Sequence, residues 1–343
     1  MGLFKFESDT MFFADIRELL FDRVISLGGT CQVAHQLNRL GLRFESYPFD
    51  WLFSTDPEQL IKALRNDLDG WLLPENLIES DKTETSHRRV TDTKYNMIHQ
   101  HIFPLGKPLS ESYNEVMQTV NRRVERFLSL KEGNKRLLFI RTNLNREQSD
   151  KLGALIREKF GKNAMLLVVN HIKEFRIRKV RSGLSNTYIY EIYDENENTG
   201  QKWQGYDPHW DKLLGGVRLK EEFADIADDG LFENFYPCEI NEKKQKFRWT
   251  YKESVLHLER YGGCECILTF STPAAMTLEI ENVYGQKIAG IKVAPSESYK
   301  FEIKHETRYI TLKLAETWSP AERFGSEDNR QLGVCLESVQ IHR

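Results

Sequence analysis

The sequence predicts two domains, an α+β or α/β domain followed by an antiparallel β-sandwich. The first is assigned to residues 1–215, because strand, helix and strand follow one another over residues 137–169, the order of a βαβ unit. The second is assigned to residues 235–343, because short alternating strands recur there, with turn signals about every 8–12 residues. A chain of 343 residues gives each domain enough length to bury its own core.

Composition limits the possible partners and compartments. With 40% hydrophobic and 29% charged residues and a net charge of −3, the chain is typical of soluble globular proteins, and we expect no nucleic-acid binding. It contains no run of about 20 apolar residues, so we expect no stable membrane insertion. The opening MGLFKFESDT is too short and polar for a secretory signal, and the five cysteines are an odd number. Together these features predict a cytoplasmic protein with reduced thiols.

No sequence pattern in the chain indicates a metal or a cofactor. Cys264 and Cys266 are one residue apart, which differs from the two-residue gap of common zinc sites, and no second cysteine pair lies nearby. A Gly-rich phosphate loop is missing as well. We therefore expect neither a metal site nor a cofactor, and composition does not predict the oligomeric state.

Apolar spacing predicts the helices and strands up to residue 130. Thr30 can cap a helix that ends near Gly41, and Asp56 can cap the next one. The stretch 70–89 is polar and predicts a surface loop. The remaining predictions are a short amphipathic helix over 10–21, a strand or turn over 24–27, a strand over 95–104 with Met97, His99 and His101 on one face, and a long helix over 111–130.

Two apolar strands, 137–140 and 165–169, enclose a helix over 147–160 and are expected to be parallel. Polar residues follow both strands, at Arg141–Asn143 and at Asn170–His171. Ligand sites in open α/β sheets lie at such carboxyl ends. Residues 173–193 then predict a two-stranded hairpin.

Cys31 is the candidate nucleophile. It follows the turn Gly28-Gly29 and lies in the first turn of the predicted helix. A thiol at a helix N-terminus lies at the positive end of the helix dipole, so we expect a lowered pKa and fast alkylation by iodoacetamide. Such a thiol needs a base brought in from elsewhere in the fold. Burial as a small apolar residue is the alternative.

The segment SLGGTC, followed by Ala34, Leu37 and Gly41 and then by YPFDW, resembles the DUF1796 family, described as papain-like cysteine peptidases. Three later elements match the same pattern in order: His101-Ile102-Phe103; Arg122, Arg123, Arg126 and Phe127; and Phe139-Ile140-Arg141. The resemblance covers roughly residues 22–210 and implies a papain-like domain with a cysteine nucleophile. The family usually has an acidic residue after the histidine, where this chain has Ile102.

Three histidines compete as the base for Cys31. His35 lies one helical turn after the cysteine, a poor position for reaching a leaving group as well. His101 is distant in sequence and matches the histidine of the family, so we favour it, with His99 as the alternative. His171 ends a strand and is predicted to line the substrate cleft.

Asp50 and Asn143 are the candidates for orienting the imidazole of the base. Asp50 can instead bind backbone amides and fix the turn before Trp51. Gly28 and Gly29 are predicted to contribute backbone N–H groups to an oxyanion hole, although they can also serve the turn alone. Arg141 is predicted to hold an anionic substrate group, with an internal salt bridge as the alternative.

The C-terminal segment carries a second resemblance. Trp318-x-Pro320, followed by Gly325-Ser326-x-Asp328-x-Arg330-x-Leu332-Gly333, is similar to the end of a β-sandwich module found beside bacterial glycosyltransferases. Asp328 and Arg330 can pair across a turn, and Trp318 can close the end of the sandwich.

The sequence therefore predicts a Cys–His acyl-transfer enzyme, hydrolase or transferase, associated with bacterial surface-polysaccharide biosynthesis. Its expected substrate is a glycan or an acyl or peptidyl compound. Two alternatives remain open. One is a non-catalytic glycan-binding or assembly protein in which Cys31 is buried, and the other is a nucleotide-sugar-dependent transferase, since βαβ units also suit that function.

Overall fold

The computed structural model describes residue 16 and residues 19–80, 86–194, 203–261, 264–282 and 284–342. The chain divides into two compact units, residues 1–219 and residues 220–343. The first mixes helices with parallel and antiparallel strands, and the second is built on antiparallel strands, as predicted. Most of the predicted helix over 10–21 lies outside the described residues, and its end forms a strand instead.

The first unit contains eleven strands among its described residues. In chain order they are β1 (Leu20–Phe21), β2 (Arg23–Ser26), β3 (Leu52–Phe53), β4 (Leu77–Ser80), β5 (Arg89–Asp92), β6 (Met97–His99), β7 (Leu137–Thr142), β8 (Ala164–Ile172), β9 (Ile177–Val180), β10 (Thr187–Tyr193) and β11 (Arg218–Leu219). The described helices of this unit are α1 (Gln32–Arg39), α2 (Pro57–Arg65), α3 (Leu109–Ser129), α4 (Arg146–Phe160) and α5 (Asp207–Leu214).

A five-stranded sheet forms the centre of the first unit, in the order β2-β7-β8-β10-β9. Strands β2, β7, β8 and β10 are parallel, and β9 pairs with β10 as the antiparallel hairpin that the sequence predicts. Strand β7 is buried along its whole length, with Phe139 in one apolar cluster and Leu138 and Ile140 in another. The sheet is therefore covered on both faces, as expected of parallel strands.

Local sequence explains helix α4, which completes the βαβ unit. Asn145 and Gln148 form a reciprocal capping box at its start. Gly161 ends the helix with a φ of 92°, a conformation that glycine adopts without strain. The helix connects β7 to β8, which pair directly in the sheet. Because these two strands are parallel, their carboxyl ends lie at the same edge of the sheet.

A second sheet in this unit is antiparallel, in the order β3-β6-β5-β4. It corrects two sequence predictions. The predicted surface loop 70–89 contains β4, which pairs with β5. The predicted strand 95–104 ends at His99, so Met97 and His99 are buried while His101 lies in an exposed bend beyond the strand.

The second unit contains ten strands among its described residues, joined in one antiparallel network. They are β12 (Glu221–Phe223), β13 (Phe232–Phe235), β14 (Glu239–Ile240), β15 (Lys246–His257), β16 (Cys264–Ser271), β17 (Met276–Glu281), β18 (Lys287–Val293), β19 (Ser298–Thr307), β20 (Tyr309–Leu314) and β21 (Cys335–His342), with a short helix α6 (Pro320–Phe324). The order is β18-β17-β20-β15-β21-β16-β19, with β12 added on β21 and β13 and β14 on β15.

The core of the second unit comes from alternate positions of these strands. Cys264 and Cys266 point into it while Glu265 between them is exposed, so the two thiols share the buried face. Trp318 donates its indole N–H to the Gly333 carbonyl at 2.9 Å, and Arg330 pairs with Asp328 at 2.7 Å. These contacts fix the chain before β21.

Candidate functional site

Cys31 lies at the carboxyl edge of the parallel sheet, five residues after the end of β2. Gly28 and Gly29 have φ values of 73° and 101°, so the turn between strand and helix depends on glycine. Cys31 is the N-cap residue of α1, and the Thr30 hydroxyl accepts a hydrogen bond of 3.3 Å from the Gln32 backbone N–H. The cysteine is 6% exposed.

The histidine that contacts this thiol is far away in sequence. Cys31 Sγ lies 3.7 Å from His101 Nε2, across a separation of 70 residues. The bend after β6 carries His101 toward the start of α1, and its ring packs near Trp51 and His87, with centroid distances of 6.3 and 6.4 Å. The fold therefore brings together the cysteine and the histidine that the sequence favours as a pair.

Burial sets the protonation of both groups, and it corrects one sequence prediction. Desolvation raises the pKa of Cys31 to about 11, and the residue's own backbone N–H opposes this only in part. The pKa of His101 is lowered by desolvation and by the neighbouring His87. The prediction of a lowered cysteine pKa is wrong, because loss of hydration outweighs the helix terminus. At neutral pH the pair is a thiol beside a neutral imidazole.

Neither predicted orienting residue contacts His101. Asp50 is buried and binds the Arg43 guanidinium at 2.7 Å and the Tyr47 backbone N–H at 3.0 Å, which fixes the turn before Trp51. Burial raises the pKa of Asp50, while Arg43 opposes the shift. Asn143 lies beside His171 instead, at 3.4 Å between Nδ2 and Nδ1. Within the described residues, Cys31 is the hydrogen-bond partner of the His101 ring.

The predicted oxyanion donors are already used. Gly28 N–H donates to Ser26 Oγ at 3.1 Å, and Gly29 N–H donates to Ser54 Oγ at 3.3 Å. Both bonds hold the turn, so these two amides are not available to a substrate. In the described part of the chain, the backbone N–H of Cys31 donates to no other residue.

Arg141 also serves the turn rather than a substrate. Its side chain is 1% exposed, and its guanidinium donates to the Leu27 carbonyl at 2.9 Å and to both the hydroxyl and the carbonyl of Ser54. Burial lowers the pKa of Arg141 to about 10, which leaves it charged at neutral pH. The predicted contact with an anionic substrate group is thus excluded by burial, and no carboxylate among the described residues forms the alternative salt bridge.

The other histidines have different surroundings. His99 is buried beside Trp71, at 5.4 Å between ring centroids, and desolvation lowers its pKa to about 3. His35 packs edge-on against Trp203 at 5.0 Å. His171 lies at the carboxyl end of β8, where its Nδ1 is 3.2 Å from a carboxylate oxygen of Asp194. This residue lines a pocket at the carboxyl edge of the sheet.

A pocket of about 260 Å³ opens on the His101 side of the pair. Its lining includes His87, Glu115 and Arg123, and none of these was singled out as a site residue from the sequence. Arg123 is half-buried, and burial lowers the pKa of its guanidinium while the negative charge of Asp50 opposes the shift. The sequence signal for this residue is the Arg122–Arg123 pair on α3, but spacing alone does not tell which arginine lines the pocket beside His101.

The comparison with known proteins matches the part of the chain that contains Cys31 and His101. Residues 22–173 match a protein-family model described as "Putative papain-like cysteine peptidase (DUF1796)". The resemblance to DUF1796 is confirmed there. The matched segment contains both Cys31 and His101, and it is shorter than the range 22–210 expected from the sequence. A cysteine-hydrolase-like function is what this family description supports.

One relative is 28% identical over 216 residues, the "Uncharacterized protein R408" of Acanthamoeba polyphaga mimivirus. The match covers 55% of this chain and 96% of the viral protein. Among solved structures, a family 6 carbohydrate-binding module is 8% identical over 34% of this chain and 85% of its own, with a TM-score of 0.21. A family 29 carbohydrate-binding module is 10% identical over 35% of this chain and 90% of its own, with a TM-score of 0.20.

The described residues lack two further features. They contain no group of three or more His, Cys, Asp or Glu side chains placed to hold a metal ion. Within the same part of the chain, no helix has the length and apolar character needed to cross a bilayer.

Proposed function

We propose that Cys31 and His101 form the centre of a Cys–His acyl-transfer enzyme of the cysteine-hydrolase type. The observation that carries this proposal is the 3.7 Å separation of Cys31 Sγ and His101 Nε2. A nucleophile and a base that meet through the fold, and not along one helix, are the minimal unit of nucleophilic catalysis. The match of residues 22–173 to a cysteine-peptidase family supports the same chemistry.

The neutral resting pair determines how the reaction proceeds. As the Cys31 sulfur attacks an acyl carbon, His101 Nε2 takes the thiol proton, so a free thiolate is never required. The tetrahedral intermediate collapses to a thioester when the leaving group departs with the proton from His101. Water or a hydroxyl compound then attacks the thioester, passes its proton through His101 and releases Cys31 as a thiol.

The surrounding groups have roles consistent with this sequence of steps. The backbone N–H of Cys31 is the donor that remains for the developing oxyanion, since the amides of Gly28 and Gly29 are occupied by serine hydroxyls. Arg123 lines the pocket beside His101 and is suited to hold a carboxylate or carbonyl group of the substrate. All five cysteines are free thiols, which is consistent with a reducing cytoplasm.

The finer part of the proposal concerns the substrate. We propose an acylated or peptidyl glycan of surface-polysaccharide assembly, and no nucleic acid. The support is the C-terminal motif from Trp318 to Gly333 at the end of the antiparallel unit, similar to modules that accompany glycosyltransferases. This substrate proposal depends on the C-terminal unit, and its failure would leave the proposed chemistry at Cys31 unaffected.

Trapping the acyl-enzyme tests the chemistry. The full chain is incubated with p-nitrophenyl acetate, quenched in acid, and digested for mass spectrometry. We expect an acetyl group on Cys31 and a burst of nitrophenolate. Replacing the base in His101→Gln should slow acylation by roughly 10²–10⁴-fold. The matched control is Cys335→Ser, which removes another buried thiol in the second unit and should leave the burst unchanged.

A contrary outcome favours one of the two alternatives. If no acyl group forms on Cys31 and Cys31→Ser retains full cellular function, the cysteine is a core residue of a non-catalytic protein. If nucleotide sugars raise the melting temperature while Cys31 stays unmodified, the transferase alternative gains support.

A further inference from the structure

The pocket beside His101 has room for a small part of a substrate. Its volume of about 260 Å³ lies just below the roughly 300–1,000 Å³ of sites for drug-sized ligands. Arg123, which lines this pocket, also lines a cavity of about 10 Å³ together with Trp71 and His99. That cavity holds no more than about one water molecule. The larger pocket is therefore the place where a substrate group can meet the Arg123 side chain.

One face of helix α3 forms a wall of this pocket. The residues it contributes recur every three or four positions: Ser112, Glu115, Val116, Thr119, Val120 and Arg123. Val116 and Val120 are buried and make the middle of this wall apolar. Glu115 and Arg123 are about 12 Å apart along the axis, at about 1.5 Å per residue. Glu115 lies 3.4 Å from the Lys107 ammonium, which partly neutralises its charge, so the Arg123 end is the positive end of the pocket.

The surroundings of Arg123 favour an anion there. Burial lowers the pKa of its guanidinium, and Asp50 opposes the shift. Further positive charges lower this pKa as well, those of Arg43, Arg126 and Arg122. Both burial and neighbouring like charges disfavour the charged guanidinium, and an anion placed in the pocket would offset both effects.

The carboxylates close to these arginines already have partners. Asp50 accepts from the Arg43 guanidinium at 2.7 Å, and Glu45 lies 3.2 Å from Arg126 Nε. A planar guanidinium binds a carboxylate with two parallel hydrogen bonds, a geometry that a single point charge cannot reproduce. The Arg123 end of the pocket is therefore suited to a carboxylate that the substrate supplies.

The path of the proton connects this pocket to the leaving group. In the proposed reaction His101 Nε2 takes the proton of the Cys31 thiol and returns it to the departing atom, which must lie within hydrogen-bond reach of the ring. The same His101 side chain lines the pocket. The part of the substrate that departs therefore adjoins the pocket that Arg123 lines.

We propose that this pocket holds the leaving group of the acyl-transfer reaction, and that this group is an amino acid or short peptide whose free carboxylate pairs with Arg123. The inference rests on the proposed function, because a leaving group exists only if acyl transfer takes place. The Cys31 Sγ–C bond forms first. The C–N bond then breaks with its electron pair on nitrogen, and the nitrogen takes from His101 the former thiol proton. The enzyme accordingly removes the carboxyl-terminal end of a peptidyl chain.

Interception of the acyl-enzyme by added amines tests the proposal, because an amine that binds in the leaving-group site attacks the thioester from there. The full chain is acetylated with p-nitrophenyl acetate and given diglycine or diglycine amide, which differ in the carboxylate. Acetylated products are quantified by mass spectrometry, with the rate in the absence of protein subtracted. We expect diglycine to be acetylated about tenfold or more faster, since the amide lacks the charge-assisted contact. Equal rates for the two amines would overturn the proposal.

Variants of two neighbouring arginines locate the carboxylate. Arg123→Gln should abolish the preference for diglycine, whereas Arg122→Gln should preserve it, because Arg122 is exposed and bonds Thr119 on its own helix. Arg123→Lys keeps the positive charge and should retain part of the preference, which distinguishes loss of charge from misfolding. An Arg123→Gln protein that keeps the full preference would refute the role of this residue.

A binding measurement separates this inference from the acyl-transfer proposal. Diglycine and its amide are titrated into the Cys31→Ser protein and followed through the NMR signals of the His101 imidazole, which requires no reaction. We expect a Kd about tenfold or more lower for diglycine. If no acyl-enzyme forms but diglycine binds through Arg123, the carboxylate pocket stands and the acyl-transfer proposal falls. If the acyl-enzyme forms and neither measurement prefers diglycine, this inference alone falls.

Discussion

At the scale of single residues, the loss of hydration on burial determines the reactivity of the Cys31 thiol. A pKa of about 11 leaves a thiolate fraction about 100-fold lower at neutral pH than the ordinary value of 9.0 would. A more basic thiolate is also a stronger nucleophile, and this offsets about tenfold of the loss in thiolate fraction. Alkylation of Cys31 should therefore be about tenfold slower than alkylation of a model thiol. Iodoacetamide at pH 7 should therefore modify the partly exposed Cys238 before Cys31.

Peptide mass spectrometry over a pH series measures this difference. The rate at Cys31 should keep rising up to about pH 11, where the thiol ionises. A Cys31 that reacts ahead of the other four thiols at pH 7 would contradict the raised pKa and restore the thiolate expected from the helix terminus.

The pH dependence of acyl transfer should differ from that of alkylation. The proposed step needs neutral His101, whose pKa is lowered from 6.5. The neutral base form is therefore already present at pH 7 and is lost only as the pH falls below 6.5. We expect acylation by p-nitrophenyl acetate to be flat above pH 6.5 and to decline in more acid buffer. Stopped-flow measurement of the burst rate tests this, and an acidic limb centred above pH 7 would show that a different group controls the reaction.

Arg123 and Arg122 offer a direct comparison between neighbouring side chains. Arg123 lines the pocket beside His101, whereas Arg122 is exposed and bonds Thr119 on its own helix. Once an acidic acyl substrate is in hand, Arg123→Gln should raise its KM about tenfold or more with little change in kcat, since charge-assisted contacts contribute to binding. Arg122→Gln should leave both constants unchanged. An equal effect of the two variants would mean that only overall charge matters.

Part of the site could be predicted from the sequence, and part could not. The role of His101 could be predicted, because the nucleophile needs a base from a distant part of the chain and because the family pattern contains this histidine. The roles of Asp50, Arg141 and the two glycines could not be predicted, because each depends on partners such as Arg43 and Ser54 that only the folded chain brings near. The sign of the cysteine pKa shift depends on burial, which no spacing pattern reveals.

At the scale of elements, Arg141 joins two sheets. Its guanidinium at the end of β7 binds the Leu27 carbonyl after β2 and Ser54 after β3. Arg141→Met removes the guanidinium donor from the buried carbonyls of Leu27 and Ser54, so the free energy of unfolding should fall by about 3 kcal/mol. Urea unfolding measures the loss. Arg157→Met on exposed α4 surface is the control, with an expected change under about 0.5 kcal/mol, and equal stability of both variants would refute this role.

Element prediction succeeded where local signals agree. Strand β7 is apolar along its length, and α4 carries its own capping residues, so both are visible in the sequence. Strand β4 was missed because its residues 77–80 are only partly buried and its pairing with β5 is not encoded locally. The early end of β6 at His99 was missed for a similar reason, since alternation continues in the sequence after the strand has turned away.

At the scale of the whole molecule, the second unit has the features of an independent folding unit. Among its described residues, 24 buried apolar side chains form one cluster drawn entirely from residues 224–341. A fragment of residues 220–343 should therefore fold alone, with a β-type circular dichroism spectrum and a cooperative thermal transition. A fragment whose NMR amide signals stay within the narrow range of unfolded chains would contradict this expectation.

Strand β12 was not anticipated, because it has only three residues, begins with two glutamates and pairs with a strand more than 100 positions away. That pairing sets Glu221 opposite His342, so the place where the chain enters the second unit adjoins the place where the final strand leaves it. The unit is therefore suited to circular permutation: a short linker can join these neighbouring ends while new ends are opened in an exposed turn such as the one at Gly285. Evolution can use the same geometry to insert such a unit into a loop of another protein without stretching either partner.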